Sequence, residues 1–282
     1  MQRTHLANER PEGFRRPGLA FLYAAPIGLL GGLIGLGGSE FRLPVLIGPL
    51  GYSARNAVPL NLAISLVTLS AALMIRATTL SLNPIGPFVP AVVWLAVGAV
   101  VAAFLGATLS RRLSDKRLER IILVLLVAIG VALIVEGFLP QEALGSLPDV
   151  PVWHATAGIL FGLSIGLVSS LLGVAGGELI IPTLVFAFGA DIKTAGTAGL
   201  LVSLPTVMVG LIRYATLGAF TERRALLQTV APMSLGSAAG AVFGGTLVGL
   251  VPAAILKIGL GVILNVSAFR VLRHKDSSHD GA

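Results

Sequence analysis

The sequence predicts an all-α integral membrane protein made of two homologous helical repeats, inverted relative to each other. Three observations carry this prediction. Only 12% of the 282 residues are charged while 55% are hydrophobic, whereas about a quarter of an average globular chain is charged. Apolar segments of about 20 residues recur along nearly the whole length, as membrane-crossing helices require. The stretch GLLGGLIGLGGSEFRLPVLIG (28–48) returns in altered form 138 residues later. Long Leu/Val/Ala/Gly runs also argue against a β-barrel, whose strands would show short alternating segments.

The chain has no cysteine, which excludes disulfides, thiolate metal sites and cysteine nucleophiles. Its net charge of +7 belongs to basic residues beside the hydrophobic runs. There they orient the chain and meet anionic lipid rather than nucleic acid.

Taken in order, residues 1–19 read as a polar, Pro/Gly-punctuated cytosolic tail. A signal peptide is the rival reading, but the following apolar stretch runs past Gly28 without a clear cleavage site and is repeated later. The first repeat covers 20–138, with a glycine-rich stretch at 20–48 and spans near 57–75, 88–109 and 119–138. An external linker, 139–154, leads to the second repeat, 155–272. That repeat has its own glycine-rich stretch at 155–188 and spans near 196–216, 227–248 and 255–272. Residues 273–282 form a second cytosolic tail.

The repeat aligns without gaps. GLGGSEFRLPVLIGPLGYSARNA (35–57) falls on GVAGGELIIPTLVFAFGADIKTA (173–195), so Gly38 matches Gly176, Glu40 matches Glu178 and Pro44 matches Pro182. The same offset places Ser65 on Ser203, Gly98 on Gly236 and GATL (106–109) on GGTL (244–247). If each glycine-rich stretch crossed once, the repeats would be parallel and the loop SRRLSDKRLER (110–120) would face outward, against the positive-inside rule. If each stretch makes two legs, Arg55, that loop, the ERR at 222–224 and both tails share the inner face. The acidic QEALGSLPDV (141–150) then lies outside. Inverted repeats with discontinuous or re-entrant helix pairs fit better.

Inverted repeats with Gly/Pro-interrupted segments at matching places point to a secondary transporter. Unpaired backbone at membrane depth must face protein or a wet cavity. Glycines at 37–38 and 176–177 let the chain turn, and Pro44 and Pro182 are expected to break the helices. Half-helices starting near Glu40 and Glu178 would aim free N–H groups at a shared central site, which suits an anion. Gly37, Gly38, Ser39, Glu40, Gly176, Gly177 and Glu178 are the expected donors and liners. Asn61, Ser65, Thr197 and Ser203 are candidate neutral hydrogen-bonding groups. Arg42, whose counterpart is Ile180, either contacts the anion, offsets Glu40 or reaches for an interface. Glu40 and Glu178 either carry protons or cap helix starts.

Competing readings stand beside these. Glycine-rich membrane segments often serve close helix packing, and GATL/GGTL reads best that way. Most membrane Ser and Thr bond their own backbone. There is no P-loop, no His/carboxylate metal cluster and no Ser/His arrangement, so neither an enzyme, a cofactor nor a metal is expected. A membrane scaffold and a passive anion channel are the alternatives to a transporter.

GLGGSEFRLP (35–44) and, more loosely, GVAGGELIIP (173–182) resemble the twin signature of the TauE/SafE sulfite exporter family. The GATLSRRLSDKRLERI region is also similar, and the resemblance spans nearly everything outside the tails. It implies a plasma-membrane permease for sulfite, sulfoacetate or related sulfur-containing organic anions, linked to protons. Partners implied are the small anion, membrane lipid and protons; the oligomeric state is left open. Where relatives carry a third glycine this chain has Ser39. The second copy has Ala175 in place of Gly37, and AVPLNLAIS (57–65) replaces a Thr-Ser pair common in relatives.

Overall fold

The computed structural model describes residues 17–34, 37–79, 83–138, 147, 150–220 and 222–247, with isolated positions 258, 262 and 265. Every regular element among them is helical. The first repeat contains α1 (Pro17–Ile34), α2 (Ser39–Ile47), α3 (Ala54–Thr79), α4 (Val89–Arg112, preceded by the 3-10 turn Asn83–Phe88) and α5 (Asp115–Phe138). The second contains α6 (Pro151–Leu172), α7 (Gly177–Pro182, followed by a π-helical turn, Thr183–Ala187) and α8 (Ile192–Thr216). It continues with α9 (Arg223–Ala225), a second π-turn at Leu226–Val230, and α10 (Ala231–Thr246). The expected span at 255–272 lies outside the described residues.

Five helices among the described residues are long and apolar enough to cross a membrane: Ala54–Thr78, Asn83–Arg112, Pro151–Leu172, Ile192–Thr216 and Arg223–Thr246. The glycine-rich stretches each make two legs, but unequal ones. α1 has 18 residues against 9 in α2, and α6 has 22 against 6 in α7. The long leg keeps going because nothing in it demands a positive φ; the short leg starts afresh after the glycines. Pro44 does not break α2, which runs on through it to Ile47. Pro44 is the sixth of nine residues, so its missing N–H forfeits the one bond to the Glu40 carbonyl while the helix carries on for three more residues. Pro182 closes the α-helical part of the second short leg, where the winding loosens to π.

Glycine stripes let the two halves interlock. A methyl group added at Gly28 or Gly32 of α1 would land on the Ser237 or Ala241 carbonyl of α10. Gly236, Gly240 and Gly244 in turn meet Phe21, Ala25 and Leu29. The mirrored interface joins α4 to α6, where Gly98 meets Ile159 while Gly162 and Gly166 meet Leu95 and Ala99. Gly244 of the GGTL run is at such a seam, as the packing reading expects, and Gly106 of GATL meets Ser170 of α6. With no hydrophobic drive between helices in lipid, close backbone approach and dispersion hold these pairs.

The direction of the repeats can be read from contacts. α3 and α8 are equivalent helices, yet Leu62 packs on Gly210 while Arg76 reaches Thr197. As one numbering rises the other falls, so the equivalent helices run antiparallel. An antiparallel pair of equivalents requires a two-fold axis across the helices, and the repeats are inverted. The axis passes near the middle of both helices.

The basic segments gather at one end of the bundle. Arg55 pairs with Asp115 at 2.6 Å and donates to the Leu113 carbonyl at 2.7 Å, and Arg111 donates to the Leu217 carbonyl at 2.9 Å. At the start of α8, Asp191 caps the helix by accepting from the Lys193 and Thr194 amides at 3.0 and 3.1 Å. What burial it has pushes its pKa up, but hydrogen bonds from Thr194 and Lys193 outweigh this and hold it below the ordinary value. The depressed group stabilises the fold above its unfolded pKa, and the benefit fades as pH falls through the folded one. Asp191→Ala should therefore cost about 1 kcal/mol at neutral pH. Thermal melts in detergent should show this difference shrinking below about pH 4.

Candidate functional site

The site begins with backbone that only glycine adopts readily. Gly37 and Gly38 have φ of 78° and 67°, and Gly176 has 77°. Gly38 and Gly176 cap the starts of the short legs, so α2 begins at Ser39 and α7 at Gly177, while Gly173, also left-handed, ends α6. A side chain at Gly38 would also meet the Ile27 carbonyl at 2.7 Å.

The two turns touch. The Ala175 amide of the second turn donates to Ser39 Oγ of the first at 2.8 Å, and that hydroxyl faces Glu40 Oε2 at 3.3 Å. This contact joins segments 136 residues apart and sits between the inverted halves. Asn61 of α3 braces it, donating to the Ser39 carbonyl at 2.7 Å.

Arg42, fully buried, organises the first turn. Its Nε donates to Asn61 Oδ1 at 3.2 Å and Nη2 to Ser65 Oγ at 2.8 Å. Nη1 reaches the Gly37 carbonyl at 2.9 Å, Ser237 Oγ at 3.2 Å and Thr68 Oγ1 at 3.4 Å. The partners are neutral oxygens from α2's own turn, from α3 and, through Ser237, from α10 of the other repeat. None of these partners is charged, and together they hold the guanidinium's hydrogen-bonding fork in place.

Two carboxylates complete the centre. Glu40 is 0% exposed and Glu178 is 3% exposed. Glu40 feels the positive field of Arg42 and the hydroxyl of Ser39, and the two glutamates feel each other. Among the described residues, Glu40 Oε1, both oxygens of Glu178 and Ser203 Oγ have no hydrogen-bond partner.

Of the residues singled out from sequence, Gly37, Gly38, Ser39, Glu40, Arg42, Asn61 and Ser65 form one bonded cluster. Gly176 and Gly177 form the facing turn, with Glu178 following it. Thr197 stands apart. It accepts from Arg76 Nη1 at 3.3 Å and bonds its own backbone at Lys193, about 9 Å along α8 from Ser203 at 1.5 Å per residue. Thr68, Ser237 and buried Arg76 were not picked out as site residues. Thr68 sits three positions beyond Ser65 on the same face, a signal that was present; nothing in the sequence ties Ser237 to Arg42. Among the described residues no group of three His, Cys, Asp or Glu is placed to hold a metal ion.

A buried guanidinium and paired broken helices meet where the inverted halves join, an arrangement of the kind found in secondary transporters. The family model described as sulfite exporter TauE/SafE matches residues 2–133 and again 142–281. The chain belongs to the TauE/SafE family, and the double match reproduces the two repeats. No curated protein and no solved structure matches it.

Proposed function

We propose that the protein is a secondary transporter that carries sulfite or a small sulfur-containing organic anion, such as a sulfonate, across the plasma membrane by alternating access. The observation that carries this reading is the fixed, fully buried Arg42 fork beside the contact between the two turns. A planar guanidinium suits oxyanions because two parallel N–H groups match two oxygens. Backbone amides released at the start of α2 add to the same field. The neutral oxygens now holding Arg42 are those an anion would replace.

For an anion to enter, the Ser39–Ala175 bond opens and one half rocks against the other, exposing the centre to each side in turn. The positive-inside rule supports a cytosolic position for the end where the basic loops gather, and for both termini. Ionised Glu40 and Glu178 would repel an arriving anion, so proton binding and anion binding support each other. The glycine stripes of α1/α10 and α4/α6 already account for helix packing, which leaves the twin turns to serve transport.

The test is a flux panel in proteoliposomes with an imposed pH gradient, using sulfite, sulfonates and carboxylates. Saturable flux of sulfur oxyanions, faster with the gradient, is expected. Non-saturating flux would instead identify a channel, and no flux of any anion would leave the scaffold reading standing.

A further inference from the structure

The two copies of the site are not equivalent, and the difference has a direction. Moving each member of the first site by 138 positions shows what the second retains. The oxygens of Ser65 and Thr68 recur at Ser203 and Thr206. Arg42 becomes Ile180, Asn61 becomes Gly199, and Ser39 becomes Gly177. The second copy thus keeps part of the oxygen shell but has lost the cation, the amide that orients it, and the hydroxyl beside the glutamate.

The consequence is visible atom by atom. Ser65 Oγ accepts from Arg42 at 2.8 Å, while Ser203 Oγ, its equivalent, has no partner. Glu40 has the Ser39 hydroxyl at 3.3 Å and the field of Arg42. Both oxygens of Glu178 lack a donor, and the charge it feels is the like charge of Glu40. The cation and the hydroxyl that compensate Glu40 have no counterpart around Glu178, which keeps only its own backbone amide at the helix start.

The surroundings offer no substitute among the described residues. In α8, Asp191 and Lys193 are exposed at its start, and Arg213 and Tyr214 sit near its far end, bonded to Thr108 and the Ser170 carbonyl. Arg76 of α3 donates from Nη1 to Thr197 and has an unpartnered Nε, but the charge that acts on Glu178 is that of Glu40. Asp115, Lys116, Arg117, Glu119 and Arg120 of α5 cluster in its first turns, and the π-turn after α7 holds no titratable group. His154, at the start of α6, stacks edge-on against Phe188 with ring centroids 5.6 Å apart. A carboxylate buried in this way cannot remain ionised and uncompensated, because nothing replaces the water it left. It needs a mobile cation. Two carboxylates and a hydroxyl are fewer oxygens than the roughly six to eight that calcium takes, whereas a proton needs no oxygen beyond the carboxylate itself.

We propose that the two half-sites have divided the work. Arg42 in the first repeat anchors the anion, and Glu178 in the second, rather than Glu40, carries the coupling proton. The assignment rests on the transport reading above and sharpens it. A proton on Glu178 removes one of two negative charges facing the anion, so each ligand strengthens binding of the other by the same factor. Anion and proton then move in the same direction.

Calorimetric titration of the purified full-length protein with methanesulfonate, which does not itself titrate, tests this directly. Runs in two buffers of different ionisation enthalpy give the protons taken up per anion bound. At a pH high enough for anion-free Glu178 to have released its proton, the wild type should take up as much as about one proton per anion, and the uptake should fall away at lower pH. Glu178→Gln should lose the uptake in whatever binding survives, Glu178→Asp should restore it, and Glu40→Gln should keep it. Proton uptake that persists in Glu178→Gln, or disappears in Glu40→Gln, would overturn the assignment alone. So would wild-type affinity that follows sodium and not pH. Absence of wild-type binding or flux for every anion in the panel would overturn the transport reading and this assignment with it.

Discussion

Arg42→Lys should abolish anion transport while leaving a folded, helical membrane protein. Lysine preserves the charge but replaces a rigid five-donor fork with three donors on a flexible stem. The fork now satisfies Asn61, Ser65, Thr68, Ser237 and the Gly37 carbonyl together. An ammonium can satisfy at most three of these acceptors and offers an oxyanion no bidentate face. The loss in anion affinity should be about 2–5 kcal/mol, the range for disturbing a buried, hydrogen-bonded charge. That corresponds to about thirtyfold or more, visible as a raised dissociation constant for sulfite or methanesulfonate. Wild-type affinity in the lysine variant would show that Arg42 does not meet the anion.

Gly38→Val should be the most damaging single substitution in the turns. Gly38 has φ of 67°, a conformation that β-branched residues adopt only at a strain of about 1–3 kcal/mol. A Cβ there also lies 2.7 Å from the Ile27 carbonyl, so the start of α2 must shift. Because Ser39 and Arg42 follow directly, the shift displaces the site rather than a distant loop. Flux should fall to background while membrane expression and helical content persist. Gly176→Val should do the same from the other side; its φ is 77°, and its Cβ would meet the Ile165 side chain at 3.0 Å. Normal flux in both variants would remove the turns from the mechanism.

Much of this architecture was legible in the residues because repetition multiplies weak signals. One glycine run in an apolar chain is ambiguous, but Gly38/Gly176, Glu40/Glu178 and Ser65/Ser203 at one offset are not. The inversion was legible from Arg55, the 110–120 loop and the ERR at 222–224, since charge placement constrains which loops share a face. The legs of each hairpin were not, because propensity does not register where a helix stops when glycines are spread along it. Pro44 misled as a helix breaker because a proline forfeits one backbone bond, a loss that this buried, packed leg carries without breaking. The partners of Arg42 were only half readable. Asn61 and Ser65 lie on the next helix and stood out as polar residues in an apolar run. Ser237 comes 195 positions later and is brought there solely by the α1/α10 packing. The meeting of Ser39 with Ala175 was expected only as two facing ends, not as a hydrogen bond.

The central claim is that turns from opposite repeats touch at the transport site and must part for an anion to pass. The natural chain contains no cysteine, so one added pair can be read without background. Ser39→Cys combined with Ala175→Cys puts a thiol on each of the two residues that the 2.8 Å amide-to-hydroxyl bond now joins, which holds their Cα atoms within the span of a disulfide. Oxidation in proteoliposomes should join them and stop anion flux, and dithiothreitol should restore it. A pair that stays reduced although each single cysteine can be labelled, or a fully oxidised pair with undiminished flux, would contradict the account.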